Sequence, residues 1–190
     1  FGFLPFYPGP GLGGPCIPVV PHYLSWKSRQ FGYEPRMIAV ADEINEGMPA
    51  HVVSLVERGL ASRGKQLPGA QVLLLGITYK PNVSDTRVSP PMQILRLMAE
   101  RGVNISYHDP LVPFFDIDGK QIVGAELDDA TLAAADCVVI TTNHASYDWN
   151  HIRQTASLLV DTRNALPRLP DESVSTAGVV RLGTDVEGSH

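Results

Sequence analysis

From residue 71 onward the chain alternates short apolar runs with helix-like segments, and this alternation restricts its fold more than any other feature. Four apolar runs are typical of strands buried in a parallel sheet: 71–75, 103–107, 137–141 and 158–160. Between and after them, capped or amphipathic segments predict helices at 90–101, 127–135 and 149–155. Strands that alternate with helices form β-α-β units. We therefore predict an α/β fold with a doubly wound, mostly parallel sheet, and a last strand at 178–181.

A long helix precedes these units. Apolar residues recur every three or four positions from Met37 to Leu60, which predicts one helix over residues 36–62. Pro49 lies inside it, where a proline removes one hydrogen bond and crowds the carbonyl group of Asn45, so a kink is expected.

The polar stretch that follows this helix, residues 61–69, contains glycines and a proline and is interpreted as a domain boundary. The predicted domains are residues 1–64 and 65–187. The chain starts without an initiator Met and ends in Gly-Ser-His, which resembles the stub of a tag. We expect a piece of a longer protein in which residues 188–190 are a tag remnant.

The composition excludes several classes of protein. With 44% hydrophobic and 18% charged residues, the chain can bury a globular core. A net charge of −5 and the lack of a basic run argue against a nucleic-acid partner, and no apolar stretch approaches the roughly 20 residues of a membrane span. Two cysteines form no disulfide framework, so a cytoplasmic location is expected. Cys137 lies in an apolar run and is interpreted as a core residue.

The beginning of the chain is predicted to be a loop. Glycine or proline occupies 11 of the first 21 positions. Glycines leave backbone N–H groups open to a ligand, because no side chain blocks its approach. Cys16 near the end of this loop therefore sets a nucleophile beside a candidate anion-binding segment.

The turn after the first strand does not carry a dinucleotide fingerprint, although the architecture is Rossmann-like. Of the glycines in G-x-G-x-x-G only Gly76 is present. Asp109 follows the second strand, where a ribose-binding acid would lie, but an Asp before Pro is more often a turn residue.

Two cations lie on the connection after the first strand. Lys80 and Arg87, together with the N-terminus of a helix capped by Ser89, predict an anion site at the carboxyl edge of the sheet. The alternative is a pair of solvated surface cations.

Six segments over residues 3–165 resemble the UDP-glucose/GDP-mannose dehydrogenase family in order and spacing. They are the loop to Cys16, Asn45-x-x-Met-Pro49, Gly76-x-x-Tyr-Lys-Pro81, Asp85-x-Arg-x-Ser-Pro90, Tyr107-x-Asp-Pro110 and Val160-Asp-Thr-Arg-Asn164. The Pro-Gly-Pro-Gly-x-Gly-Gly-x-Cys-Ile-Pro form of the loop looks most like the branch that acts on UDP-N-acetylhexosamines.

The resemblance implies an NAD-dependent nucleotide-sugar 6-dehydrogenase, which oxidises a C6 alcohol to a carboxylate. It implies a thiohemiacetal and then a thioester on the cysteine. The family has an NAD-binding domain, a long helix that builds a homodimer, and a UDP-binding domain. This chain looks like the last two parts, so by itself it is expected to be inactive.

The resemblance also assigns site residues, and none of them binds a metal. Cys16 would be the nucleophile. Arg87 would reach the NAD pyrophosphate, while NAD is bound mainly by a domain outside this chain. The UDP-sugar would be bound by Tyr7, Pro8, Gly9, Gly11, Gly13, Tyr79, Lys80 and Arg163.

Three positions depart from the family pattern. Pro15 stands where His, Ser or Tyr usually precedes the cysteine, Val20 replaces an Asp, and Val88 stands where Glu is common. The Asp would support the water and the oxyanion of the reaction, which valine cannot do. The alternative is therefore a non-catalytic module that binds nucleotide sugars or dimerises.

Overall fold

The computed structural model describes residues 2, 6–117, 119–168 and 178–183. Two helices come first, and strands and helices then alternate as far as the last described residues. In chain order the elements are α1 (Val20–Arg29), α2 (Arg36–Ala61), β1 (Gln71–Leu75), α3 (Pro90–Glu100), β2 (Asn104–His108), β3 (Phe114–Ile117), β4 (Lys120–Val123), α4 (Asp129–Ala134), β5 (Cys137–Ile140), α5 (Trp149–Thr155), β6 (Leu158–Asp161) and β7 (Gly178–Arg181).

The main sheet has five parallel strands in the order β2-β1-β5-β6-β7. After β1 the chain moves to one side of the sheet through α3 and β2, and it returns on the other side of β1 with β5. The carboxyl ends of β1 and β5 therefore form the topological switch point, where ligands bind in open α/β folds. The predicted fold class is confirmed.

Helices cover both faces of this sheet. Apolar residues of α2 and α3 pack on one face, and residues of α4 and α5 pack on the other. The antiparallel β3–β4 hairpin adds Phe115 to the first core, where its ring centroid lies 5.0 Å from that of Tyr107. The two buried faces explain why the strands read as continuous apolar runs.

The predicted helices and strands are confirmed with shifts of one or two residues at their ends. The loop prediction for residues 1–21 is wrong at its end, because α1 begins at Val20. Pro21 is accommodated there because the first turn of a helix needs no hydrogen bond from its N–H groups. The β3–β4 hairpin was not predicted. The predicted remnant at 188–190 lies outside the described residues.

The long helix differs between its two halves. Helix α2 includes Pro49, and beyond it Val52, Leu55 and Val56 are at most 1% exposed. Before it, Met37 is 82% exposed. Among the described residues, no helix combines the length and the apolar character needed to span a bilayer.

Candidate functional site

The glycine-rich loop lies directly against the connections that leave the sheet. A β-carbon on Gly9 would collide with the guanidinium group of Arg163, and one on Gly13 would lie 2.6 Å from the carbonyl oxygen of Val88. A β-carbon on Gly14 would come within 2.6 Å of the Tyr79 ring. The glycines therefore permit close packing of the loop on the sheet domain. Their predicted contact with a sugar phosphate, at Gly9, Gly11 and Gly13, stays a prediction.

The thiol of Cys16 is exposed at the end of this loop. The carbonyl oxygen of Cys16 accepts hydrogen bonds from the N–H groups of Val19 and Val20, at 3.0 and 2.8 Å. These bonds fix the cysteine immediately before α1. Tyr7 and Pro8, at the other end of the loop, are exposed, so their predicted contact with the substrate stays a prediction.

The second cysteine has the opposite environment. Cys137 is fully buried in β5, and burial raises the pKa of its thiol far above the usual range. The prediction that Cys137 is a core residue is confirmed.

Arg163 is the cation best placed to receive an anion. Its backbone N–H donates to Asp161 Oδ1 at 3.0 Å, and its Nε lies 3.5 Å from Asn143 Oδ1. Burial lowers the pKa of its guanidinium group, and the charge of Asp161 only partly offsets this. Among the described residues no carboxylate comes within ion-pair distance of Arg163. A partly desolvated cation without an acidic partner favours an anionic ligand.

Asp161 holds the turn that presents Arg163. Besides the N–H of Arg163, its carboxylate accepts the N–H groups of Ala165 and Leu166 at 3.1 and 3.0 Å. Its Oδ2 also forms a buried ion pair with Arg181 at 3.1 Å. The carboxylate thus binds backbone N–H groups of the turn and does not pair with the guanidinium group of Arg163.

Arg87 is already paired. Its Nη2 lies 2.7 Å from Asp85 Oδ2, and this hydrogen bond is the main reason that the pKa of Arg87 is raised. Tyr79 and Cys16 make smaller contributions to the same shift, so both side chains lie within electrostatic range of the guanidinium group. The structure therefore brings the predicted residues Cys16, Tyr79 and Arg87 into one region.

Lys80 is exposed on the turn after Tyr79, and no described carboxylate pairs with it. The N-terminus of α3, beside this turn, contributes less to an anion site than predicted. Pro90 and Pro91 occupy the first two positions of α3 and have no N–H to donate. Ser89 is not a side-chain cap, because its hydroxyl group donates to the carbonyl of Ile77 at 2.7 Å.

The switch point itself is filled by protein. A β-carbon on Gly76 would collide with Thr142, whose hydroxyl group donates to the carbonyl of Thr78 at 2.6 Å. Asp109 is buried and accepts the N–H groups of Ile77 and Leu111, so it is a turn residue, as predicted. The turn after β1 therefore does not fit a dinucleotide such as NAD.

Sequence reasoning missed the residues that support the site. Asn143 and His144 follow β5, and Asp161 ends β6. Polar residues directly after an apolar run were the available signal, because the carboxyl ends of parallel strands meet at one edge of the sheet.

The fold and the site together define a Rossmann-like α/β domain that presents cations and a thiol in place of a dinucleotide-binding turn. The chain belongs to the UDP-glucose/GDP-mannose dehydrogenase family. The model of that family's UDP binding domain matches residues 73–168, and the model of its central domain matches residues 1–47.

Relatives with curated functions include dehydrogenases of UDP-N-acetylhexosamines. A UDP-N-acetyl-D-glucosamine 6-dehydrogenase from Pseudomonas aeruginosa is 39% identical over 112 residues, which cover 59% of this chain and 26% of the relative. A UDP-N-acetyl-D-mannosamine dehydrogenase from Methanococcus maripaludis is 33% identical over 137 residues, covering 72% and 29%. The chain thus spans less than a third of the length of either relative.

Solved structures agree with the fold. A UDP-D-ManNAc dehydrogenase from Pyrococcus horikoshii matches with a TM-score of 0.75 and 25% identity, covering 93% of this chain and 40% of that one. An NDP-N-acetyl-D-galactosaminuronic acid dehydrogenase from Methanosarcina mazei matches with a TM-score of 0.74 at 24% identity.

Proposed function

We propose that this chain is the substrate-binding and thiol-carrying part of an NAD-dependent dehydrogenase that oxidises C6 of a UDP-sugar, in particular a UDP-N-acetylhexosamine. The observation that carries the proposal is the half-buried Arg163. It lies without an acidic partner, among the described residues, against Gly9 of the loop that ends at Cys16. The activities named for the relatives support the choice of substrate.

In this proposal the anionic part of the substrate binds between the loop and the turns that leave the sheet. Arg163 offers a planar fork of donors to the diphosphate, and Lys80 offers a second, mobile charge. Tyr79 and Lys80 hold the nucleotide sugar. The sugar–phosphate part is lined by Tyr7, Pro8, Gly9, Gly11 and Gly13.

The proposed role of Cys16 starts at the aldehyde stage. Its thiolate adds to the C6 carbonyl carbon and forms a thiohemiacetal, and after oxidation to a thioester, water opens the ester and returns the thiol. NAD+, when bound, would accept the hydride of each oxidation. The turn after β1 does not fit NAD, so the cofactor would be held mainly by parts of the protein outside the described residues, with Arg87 reaching its pyrophosphate. The isolated chain would then bind substrate without turning it over.

The second candidate function is a non-catalytic module that binds nucleotide sugars or dimerises. Val20 favours it, because its apolar side chain is 58% exposed at the first position of α1, four residues after Cys16. The Val20→Asp variant of a full-length protein that includes this chain separates the two functions. Faster thioester hydrolysis would support an impaired enzyme, and unchanged hydrolysis would support the module.

Calorimetry tests the binding proposal directly. UDP-GlcNAc is titrated at low salt into wild type, Arg163→Ala, Lys80→Ala and the control Lys120→Ala, whose lysine lies on β4. We expect Arg163→Ala to weaken binding about tenfold or more, because a charge-assisted hydrogen bond contributes roughly 1.5–3 kcal/mol. Lys80→Ala should have a smaller effect and Lys120→Ala none. Equal affinities for all four proteins would refute the assignment.

We also propose a homodimer through α2. Apolar side chains at its N-terminal half and on α1 are exposed, among them Met37, Ile44 and Trp26 at 82%, 60% and 62%. Ile44→Asp should shift the chain from dimer to monomer in sedimentation equilibrium. The matched control Val123→Asp changes an equally exposed apolar residue on β4 and should leave the dimer intact. A wild type that is monomeric at high concentration would contradict the proposal.

A further inference from the structure

His144 is buried beneath the turn that carries Tyr79 and Lys80. It follows β5 and is only 1% exposed. Its Nδ1 lies 3.0 Å from the backbone nitrogen of Asn82. Its Nε2 lies 3.0 Å from Asp109 Oδ2 and 3.2 Å from the hydroxyl oxygen of Thr78. Both ring nitrogens therefore contact polar groups in the interior.

These contacts determine which nitrogen carries the proton. A backbone N–H can only donate, so Nδ1 must accept from Asn82 and carries no hydrogen. Nε2 then carries the hydrogen and donates it to the carboxylate of Asp109. Asp109 can receive it because the pKa of its carboxyl group is lowered. Burial raises that pKa, but the hydrogen bonds from His144 and from the N–H groups of Ile77 and Leu111 outweigh burial.

The imidazole ring connects to both ends of the turn. On one side it accepts the N–H of Asn82. On the other side its Nε2 contacts Thr78, whose hydroxyl group donates to the carbonyl of Lys80 at 3.0 Å. Asn82 is held in place again, since its Oδ1 accepts the N–H of Ala145 at 2.9 Å and its φ is +60°. The backbone between Thr78 and Asn82 is thus held at its start and at its end.

We propose that His144 is a positioning residue that holds the Tyr79–Lys80 turn in the conformation that receives the nucleotide, and that the Nδ1 contact with Asn82 is the bond by which it does so. The proposal rests on the proposed function in one respect, namely that the Tyr79–Lys80 turn contacts the nucleotide. His144 itself is buried beneath the turn.

Two substitutions separate the contacts of the ring. In His144→Asn the amide oxygen takes roughly the place of Nδ1 and can accept the N–H of Asn82, but the side chain is too short to reach Asp109. In His144→Gln the amide nitrogen takes the place of Nε2 and can donate to Asp109, while the N–H of Asn82 loses its acceptor. Both variants lose packing, so only the difference between them reports on the Asn82 contact.

The first measurement is amide hydrogen exchange by NMR without any ligand. The N–H of Thr141, which donates to Leu75 in the sheet, is the internal reference for global opening. We expect exchange of the Asn82 N–H, relative to Thr141, to stay within threefold of wild type in His144→Asn and to be about tenfold faster in His144→Gln. Equal exchange in the two variants would overturn the proposal.

The second measurement is calorimetric titration with UDP. We expect His144→Gln to bind UDP about fivefold more weakly than His144→Asn, since the cost of a lost positioning hydrogen bond is roughly 1 kcal/mol. Equal affinities of the two variants would overturn the link to the nucleotide. If wild type binds no UDP, the proposed function fails, while the exchange measurement still decides the role of His144.

A third measurement needs neither a variant nor a ligand. Long-range 1H–15N NMR of wild type reports the tautomer of each histidine. We expect His144 to carry its proton on Nε2 alone. A proton on Nδ1 would be incompatible with the Asn82 contact and would overturn the proposal even if both variants failed to fold.

Discussion

The two halves of helix α2 belong to two different regions of the molecule. Beyond Pro49 its apolar side chains are buried against the sheet, with Val52 and Leu55 at most 1% exposed. Before Pro49 the same periodic pattern continues, but Val40 and Ile44 are 50% and 60% exposed. The sheet region thus completes its own core, whereas the N-terminal region presents an apolar surface that fits a partner. In the proposed homodimer, one helical pattern would serve folding at one end and association at the other.

Cys16 in the N-terminal loop and Cys137 in the sheet give the largest expected difference between the two regions. We expect Cys16 to react with a thiol reagent at the rate of an exposed thiol, and Cys137 about a thousandfold or more slowly, because its strand must open before the reagent can enter. Mass spectrometry after timed labelling, with Cys16→Ser as the control, measures both rates. Rapid labelling of Cys137 would mean that the sheet region opens easily.

Two side-chain truncations, one in each half of α2, test the same difference by their effect on the free energy of unfolding. Leu55→Ala should lower the free energy of unfolding by about 2–5 kcal/mol, because it leaves a cavity in the core. Ile44→Ala should lower it by less than about 0.5 kcal/mol in the monomer, as expected for an exposed position. Urea unfolding at low protein concentration measures both values. Similar losses would show that the N-terminal half of α2 is buried after all.

The same two regions show which parts of the fold could be predicted from the sequence. The strands and the doubly wound sheet were predictable because residues such as Val72 and Val139 are buried on both faces and read as apolar runs. The periodicity of α2 indicated a helix but could not separate a core face from an interface, since both demand apolar residues. The α1 helix was missed because Pro18, just before it, and Pro21, in its first turn, are typical of a loop.

The sequence suggested candidate site residues where a residue type carries its own chemistry, as with Cys16 and Lys80, and the family resemblance added Arg163. His144 and Asp161 were missed because their function depends on contacts between distant parts of the chain. The cap at Ser89 was wrong for the same reason: its hydroxyl group has a partner 12 residues earlier, at Ile77.

Acid should destabilise the sheet region through Asp109. Its pKa in the folded protein is lowered, so its ionised form contributes stability above the unfolded pKa of about 3.9, and this contribution is lost as the pH falls through the folded value. Urea unfolding between pH 6 and pH 3 should give a steeper fall in stability for wild type than for Asp109→Asn. Parallel curves would contradict this.

The contact between the loop that ends at Cys16 and the connection that follows β1 gives the smallest effect. Val88, whose carbonyl oxygen accepts the N–H of Gly14 at 3.3 Å, has a φ of +47° and is 61% exposed. A β-branched residue is strained there, whereas Asn tolerates this conformation. Val88→Asn should therefore raise the free energy of unfolding by about 1 kcal/mol in urea titration. A loss of stability would mean that the valine side chain makes a contact worth more than the strain.

The tight fit of Gly9, Gly13 and Gly14 under Arg163, Val88 and Tyr79 has a consequence for protein engineering. The loop and the segments above it are shaped to each other, so neither can be exchanged alone between relatives to alter substrate preference. A chimera that takes the loop from another dehydrogenase would have to take the segments around residues 79–90 and 163 with it. The unit of transplantation is therefore a set of three segments that are distant in the chain and joined only in space.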